Sequence, residues 1–276
     1  MKTPPLYLNI SGFLMDLEVP KVMGILNITP DSFYSGSRVS ERREIEERVK
    51  RMLEEGVDII DIGGCSTRPG FSEPTEKEEA ERVDMGCEVV REITPDIPLS
   101  VDTYRSSVAL HSIEKWGIDI VNDISGGLDP EMWPMVADKK VAYVLTHNRQ
   151  ENNGYKNVTA EVITELSKSV NELHRLGVND VIVDPGFGFA KSLDENFKLL
   201  NDLDLIKEIG LPLLVGISRK SMIYKTLNLT PEESLVGTIA LNSIALEKGC
   251  DILRVHDVKA AKETVKLFAK LKGKTV

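Results

Sequence analysis

Residues 181–186 read Val-Ile-Val-Asp-Pro-Gly, a short β-branched run that ends in an acid and a turn. Such a run predicts a buried parallel strand whose carboxyl end carries a functional group. Working outward, polar residues follow other short apolar runs in the same way, and they are Asn27, Asp61, Thr67, Arg68, Asp102, Asn122, Lys220, Arg254 and His256. Polar groups at the carboxyl ends of successive strands indicate an active site assembled on a parallel barrel.

Eight alternations of a short β-like run with a longer helical pattern predict an α/β chain built as a (β/α)8 TIM barrel. The expected strands are residues 22–28, 59–63, 99–102, 120–123, 142–146, 181–184, 213–216 and 252–255; helices are expected at 41–55, 75–93, 158–176 and 235–247. Residues 6–17 should form a β-hairpin that closes the bottom of the barrel. We expect a single domain over residues 1–276. A doubly wound sheet is the alternative, but it gathers ligand residues at one switch point.

Composition narrows the class of protein. The chain has 276 residues, a net charge of −10, 41% hydrophobic and 28% charged residues. The acidic balance argues against nucleic-acid binding, which needs a basic face. No apolar run is long enough for a membrane span and no secretory signal is visible, so a cytoplasmic protein is expected. Three isolated cysteines offer no C-x-x-C spacing for zinc.

Several strand ends carry groups with more than one reading. The amide oxygen of Asn27 suits a hard metal such as Mg²⁺, or it caps its loop. Arg68 follows a glycine pair and offers a planar fork for phosphate, although a tight loop with a surface arginine is equally common. Asp102 and Asn122 could hydrogen-bond a heterocycle edge or cap the following helices.

The last two predicted strands lead into a concentration of cationic side chains. These are Arg219, Lys220, Arg254 and His256, in the runs Ser-Arg-Lys-Ser and Arg-Val-His-Asp-Val. TIM barrels frequently bind phosphate after strands seven and eight, which favours an anion site here. Phosphate loops of other folds are disfavoured: Lys191 occupies the third glycine position of G-x-G-x-x-G, and no Walker pattern occurs.

Five short motifs, in this order and spacing over residues 22–258, resemble those of the dihydropteroate synthase family. They are Ile-Leu-Asn-Ile-Thr-Pro-Asp-Ser-Phe, Gly-Gly-Cys-Ser-Thr-Arg-Pro-Gly, Asp-Pro-Gly-Phe-Gly-Phe, Ser-Arg-Lys-Ser and Arg-Val-His-Asp-Val. The resemblance implies a folate-biosynthesis transferase that condenses 6-hydroxymethyl-7,8-dihydropterin diphosphate with 4-aminobenzoate. Its products would be 7,8-dihydropteroate and diphosphate, formed by an SN1-like displacement.

The same resemblance implies roles for individual residues. Asp184, Lys220, Arg254 and His256 would be catalytic. The pterin would be bound by Asp102, Asn122, Asp184, Lys220, Arg254 and Phe189. The diphosphate would meet Asn27, Thr67, Arg68, Arg254 and His256, with Mg²⁺ held at Asn27. Phe33, Thr67, Pro69, Lys220 and Ser221 would bind aminobenzoate, and therefore sulfonamides that mimic it. A homodimer formed through the outer helices is also implied.

Two departures from the family pattern touch the expected site. The family usually has Met-His-Met after the fifth strand, where this chain has Thr146-His147-Asn148, and Ser35 replaces an acid common in the first loop. Two alternatives remain open: a methyltetrahydrofolate:corrinoid methyltransferase, which is a related pterin-binding barrel without a diphosphate subsite, and a noncatalytic pterin-binding protein.

Overall fold

A computed structural model describes residues 6–28, 38–65, 73–149 and 154–275. In these ranges the strands are β1 (Tyr7–Ile10), β2 (Phe13–Asp16), β3 (Lys21–Asn27), β4 (Ile59–Gly63), β5 (Leu99–Asp102), β6 (Ile120–Asp123), β7 (Ala142–Thr146), β8 (Val181–Asp184), β9 (Leu214–Val215) and β10 (Ile252–Val255). The helices are α1 (Arg38–Glu54), α2 (Glu76–Ile93), α3 (Ser106–Trp116), α4 (Met132–Lys139), α5 (Val158–Leu176), α6 (Leu193–Asn201), α7 (Leu203–Lys207), α8 (Ser221–Leu227), α9 (Leu235–Glu247) and α10 (Val258–Leu271).

Eight of the described strands form one parallel sheet in the order β8-β7-β6-β5-β4-β3-β10-β9. A parallel bridge between Val183 and Leu213 joins the two ends of this series, so the sheet is nearly closed. Helices connect successive strands on the outside. The predicted TIM barrel is confirmed.

Side chains of the barrel strands alternate between an inner and an outer core, as the two-residue period of a strand requires. Inner apolar residues such as Met23, Ile120 and Ile252 pack with the hairpin. Outer residues such as Val22 and Val121 pack against the helices. The lower half of the barrel is therefore filled with apolar side chains, which leaves the carboxyl ends of the strands for polar groups.

The predicted hairpin closes the amino-terminal end of the barrel. Strands β1 and β2 pair antiparallel, and Leu8, Ile10 and Leu17 are buried against the inner core. The amide of Asn9 donates to Oδ1 of Asp180 at 2.8 Å, immediately before β8. The hairpin is thus fixed to the barrel by apolar packing and by a hydrogen bond to a strand entrance.

Several element boundaries differ slightly from those expected. β3 covers Lys21–Asn27 instead of 22–28, β9 shortens to Leu214–Val215, and α1 begins at Arg38. α2 begins after Thr75 because Thr75 and Glu78 form a reciprocal capping box. α5 ends at Gly177, its C-cap, with φ +92°. Across the described ranges, no helix is long and apolar enough to cross a membrane.

Candidate active site

Polar side chains from neighbouring strands converge at the carboxyl end of the barrel. Asn27, Asp102 and Asp184 are the last residues of β3, β5 and β8, and Asn122 lies opposite Asp102 in the β5–β6 register. Arg254 is on β10, two residues beyond the inner-core residue Ile252. Parallel strands present their ends at the same edge, so one mouth collects these groups.

Arg254 is the centre of a buried charge network. Its Nε donates to Oδ2 of Asp61 at 2.7 Å, and its Nη2 donates to Oδ2 of Asp102. The Asn122 amide donates to the same Asp61 oxygen at 3.0 Å. Burial raises the pKa of Asp102 to about 7, although the charge of Arg254 opposes this. Burial disfavours the Arg254 cation, but the two carboxylates outweigh it and raise the pKa of Arg254.

Asp184 and Lys220 form the other charged part of the mouth. Burial raises the pKa of Asp184, against the opposing charge of Lys220 and the hydrogen bond from the Gly186 amide, which is 2.8 Å long. Burial lowers the pKa of Lys220 to about 8. The Lys220 ammonium donates to the Phe187 carbonyl and lies 4.7 Å from the centre of the Phe189 ring. A buried hydrogen-bond acceptor, a cation and an aromatic ring thus share one region.

His256 lies beside this network but carries no charge near neutral pH. Burial, and after it the charge of Arg254, lower its pKa to about 3. Its Nδ1 is 3.1 Å from the Ser218 hydroxyl. A neutral imidazole can still donate one hydrogen bond to an anion.

The expected cluster of four cationic groups needs a correction. Arg219 forms a two-pronged ion pair with Asp257, at 2.6 and 3.0 Å, so its charge is directed to a carboxylate of the chain itself. Since His256 is neutral as well, Lys220 and Arg254 are the two members of the cluster whose charges lower the pKa of Asp184. Arg254 acts on Asp184 even though it also pairs with Asp61 and Asp102.

Asn27 and Asp102 border the same small space above β4. A carbon atom added at Gly63 would lie 3.1 Å from Oδ1 of Asn27 and 3.7 Å from Oδ2 of Asp102. These are hard oxygen donors of the kind that Mg²⁺ prefers. Within the described residues, no group of three or more His, Cys, Asp or Glu side chains could hold a metal.

Four predicted site residues, Phe33, Thr67, Arg68 and Pro69, lie outside the described residues. Ser221, predicted for the aminobenzoate pocket, begins α8 directly after Lys220. Phe187, in the same loop as Phe189, is completely buried in the outer core.

Lys191 is a residue of the site that sequence reasoning missed. Its buried ammonium lies 2.9 Å from the Gly186 carbonyl oxygen and 3.1 Å from the Phe189 carbonyl oxygen. It also lies 3.3 Å from the carbonyl oxygen of His147 and 3.2 Å from Nδ1 of the same residue. Burial lowers the pKa of Lys191 to about 8, against the charge of Asp184. Lys191 thus binds the loop after β8 to the end of β7.

The backbone of this loop comes so close to β7 that it requires glycine. At Gly186, φ is +72° and a Cβ atom would lie 1.9 Å from the His147 carbonyl oxygen. His147 is held from its other side, where Nε2 is 3.0 Å from Glu165. Burial and the charge of Lys191 lower the pKa of His147 to about 4, so a neutral imidazole accepts from the lysine. Asp61 was expected only as a strand-end acid, and its partnership with Arg254 was also missed.

Known proteins that are similar to this chain agree with this geometry. The model of the pterin-binding enzyme family matches residues 23–256. A dihydropteroate synthase of Clostridium beijerinckii is 43% identical over 251 residues, which is 88% of this chain and 92% of the relative. The Xanthomonas albilineans dihydropteroate synthase solved with 4-aminobenzoic acid superposes with a TM-score of 0.91 at 34% identity, covering 98% of this chain and 99% of that one. The Yersinia pestis dihydropteroate synthase in a sulfonamide drug complex superposes with a TM-score of 0.89 at 35% identity, covering 97% of this chain and 100% of that one.

Proposed function

The chain belongs to the dihydropteroate synthase family of pterin-binding enzymes, and we propose that its barrel mouth carries out the family's transfer reaction. 6-Hydroxymethyl-7,8-dihydropterin diphosphate and 4-aminobenzoate give 7,8-dihydropteroate and diphosphate, a step of folate biosynthesis. The observation that carries the proposal is the placement of a buried acceptor, Asp184, in the same mouth as Arg254, a cation available to a departing anion. The pterin diphosphate needs both groups side by side, an acceptor for its ring and a cation for its diphosphate.

The pterin ring is the first part of the proposal. The Asp184 carboxylate accepts from the ring N–H and amino group, while Asn122 and Asp102 supply further hydrogen bonds. Lys220 and Phe189 bound the same region, since the ammonium lies over the ring of Phe189. Buried polar groups of this kind discriminate strongly, because a ligand that lacks the matching atoms leaves them unpaired. Arg254 lies against the face of the heterocycle.

The diphosphate group of the first substrate is the second ligand group in the proposal. Arg254 and His256 contact it together with Asn27, and Thr67 and Arg68 complete the subsite. Asn27 would hold Mg²⁺, which when bound screens the charge of the diphosphate. His256 donates as a neutral imidazole, because its pKa lies near 3. Stabilising the leaving group is the main catalytic task of these side chains.

The reaction itself is a substitution with a loose, SN1-like transition state. The C–O bond of the exocyclic methylene breaks, and its electron pair leaves with the diphosphate. Positive charge spreads over the electron-rich dihydropterin, where the Asp184 carboxylate stabilises it. The neutral aryl amine then forms the C–N bond with its lone pair and loses a proton. An arylamine is uncharged at pH 7, so a strong general base is not required.

The aminobenzoate pocket is assigned to Phe33, Thr67, Pro69, Lys220 and Ser221. Sulfonamides would bind there as mimics of aminobenzoate, as the complex of the Yersinia pestis relative supports. Of these residues, Ser221 begins α8 directly after Lys220.

The assembly and setting of the protein are further parts of the proposal. We infer one domain over residues 1–276, a cytoplasmic location and a homodimer. The dimer is supported by large apolar side chains exposed on two neighbouring outer helices, including Val236 of α9 at 78% and Leu267 of α10 at 75% exposure. Exposed apolar patches of this kind mark interaction surfaces.

Release of diphosphate on mixing the two substrates tests the proposed function. A synthase releases one diphosphate for each 7,8-dihydropteroate formed, and omitting aminobenzoate serves as the control. A corrinoid methyltransferase would instead bind methyltetrahydrofolate and release no diphosphate. A noncatalytic module would bind the pterin diphosphate without turnover. Either of these two results would overturn the proposal.

A further inference from the structure

Thr146 is the last residue of β7, and its side chain faces the mouth. Ala142 and Val144 of the same strand point into the inner core, whereas Tyr143 and Leu145 belong to the outer core. The alternation of a strand therefore directs Thr146 inward. In the register of β7 with β8, Thr146 lies opposite Asp184. The side chain is 1% exposed, so it forms part of the floor beside the pterin acceptor.

The hydroxyl of Thr146 is buried and has no hydrogen-bond partner among the described residues. Two other buried polar side chains of the barrel are paired. The carboxylate of Asp123 accepts from Ser125, Gly127 and Tyr143, and the Thr103 hydroxyl donates to Glu79. An unpaired buried hydroxyl is costly for the free protein. Its place beside Asp184 indicates that a bound molecule supplies the missing partner.

We propose that Thr146 determines specificity for the pterin, by forming a hydrogen bond from its hydroxyl to the polar edge of the heterocycle. A hydroxyl both donates and accepts, so it can pair with a ring N–H, an amino group or a carbonyl oxygen. The inference rests on the proposed function, since it names a contact of the same substrate. Valine has the same shape without the hydroxyl, so Thr146→Val isolates the contact.

The proposal predicts opposite effects on stability and on substrate binding. Removing an unpaired hydroxyl leaves the Tm of the free protein unchanged or raises it, because no hydrogen bond of the fold is lost. The KM for pterin diphosphate should rise about tenfold in Thr146→Val, in keeping with the loss of one hydrogen bond to a substrate. The KM for aminobenzoate should stay within about twofold.

Ser100 provides a matched control, because its hydroxyl is also buried and without a partner among the described residues. It lies on β5 two residues before Asp102, and therefore deeper in the barrel. Ser100→Ala should keep both KM values and the Tm. Thr146→Ser, which retains a hydroxyl, should keep the KM for pterin diphosphate within about threefold of the wild-type value.

Two results would overturn this inference. One is a wild-type KM for pterin diphosphate in Thr146→Val, and the other is a lower Tm, which would show that the hydroxyl supports the fold. Neither result affects the synthase assignment, because diphosphate release by the wild-type protein tests that separately. If the wild type proves inactive, calorimetric titration of pterin diphosphate into both variants still tests the contact at Thr146.

Discussion

Arg254 donates its Nε hydrogen to a carboxylate oxygen of Asp61 that is 2.7 Å away and completely buried. The two residues are far apart in the chain, and Asp102 accepts from the same guanidinium. The guanidinium of Arg254 is therefore already paired with two carboxylates of the chain before any anion binds. If Arg254 contacts the diphosphate as proposed, the anion has to compete with these carboxylates.

Replacing Arg254 with alanine should damage both fold and function. The buried carboxylate of Asp61 and the half-buried one of Asp102 would lose their shared partner, and breaking a buried pair typically costs about 3–5 kcal/mol of the free energy of unfolding. We expect kcat/KM for pterin diphosphate to fall by a factor of about 100 or more, because leaving-group stabilisation is lost. Urea unfolding and diphosphate release measure the two effects. An unchanged unfolding midpoint would contradict the charge network.

Asp184→Asn should separate function from stability. Asparagine keeps an oxygen for the Gly186 amide but removes a charge that burial disfavours, as the raised pKa of Asp184 indicates. We therefore expect no loss of Tm. The affinity for pterin diphosphate should fall by a factor of about 100, since the oxygen kept for the Gly186 amide leaves an NH2 donor where the carboxylate had a second acceptor oxygen. Titration calorimetry measures the affinity, and near-normal binding would refute the role of Asp184.

Turnover should depend on pH through Lys220. Its pKa is lowered to about 8, so the ammonium loses its proton as the pH rises through that value. kcat/KM for the anionic pterin substrate should then decline. Stability should not decline for this reason: the unfolded chain, with an ordinary pKa of 10.5, binds more protons between these values, so this contribution to the free energy of unfolding rises with pH.

The control for this pH dependence is Lys220→Arg. Arginine stays charged above pH 10, so the alkaline decline should move to higher pH even if the activity at neutral pH is lower. A decline that stays near pH 8 in this variant would assign the titration to another group.

Lys191→Met should loosen the loop after β8. Methionine removes an ammonium that lies among the carbonyls of Gly186, Phe189 and His147, while it keeps a similar volume. The expected loss of stability is about 1–3 kcal/mol, because buried acceptors lose their donor. The KM for pterin diphosphate should rise more than the KM for aminobenzoate, since the loop carries Phe189. Equal changes in both KM values would show that Lys191 acts on the fold alone.

The homodimer predicts a change of mass on Val236→Glu. A charge placed at the 78% exposed position on α9 should dissociate a dimer that buries this face, because an unpaired charge is costly at an apolar interface. Light scattering after size exclusion measures the mass. Leu205→Glu on α7, at a position that is 52% exposed, is the matched control and should leave the mass unchanged. A wild-type mass in Val236→Glu would exclude this face.

Much of the barrel could be read from local patterns. Asp102, Asn122 and Asp184 follow or end short apolar runs, and parallel strands bring such positions to one mouth whatever lies between them. The hairpin was equally readable, because its alternation and its turn are local. Boundaries such as that of β9 are harder to predict from sequence, since strand ends depend on pairing with neighbours as well as on composition.

The partners of the charged groups could not be read in this way. Arg219 has φ +56° and turns to Asp257, a conformation that a non-glycine residue adopts only with tertiary support. Lys191 finds its acceptors on His147, 44 residues earlier in the chain. Such contacts depend on side-chain direction and on burial, which residue spacing does not specify.

The hairpin at the amino-terminal end determines how substrates enter and products leave the barrel. Leu8, Ile10 and Leu17 fill that end, so the barrel is closed there and open at the other end. Whatever enters over the pterin anchors must leave by the same opening. A second molecule bound above the first would therefore prevent the first from dissociating until the two have reacted to form one product.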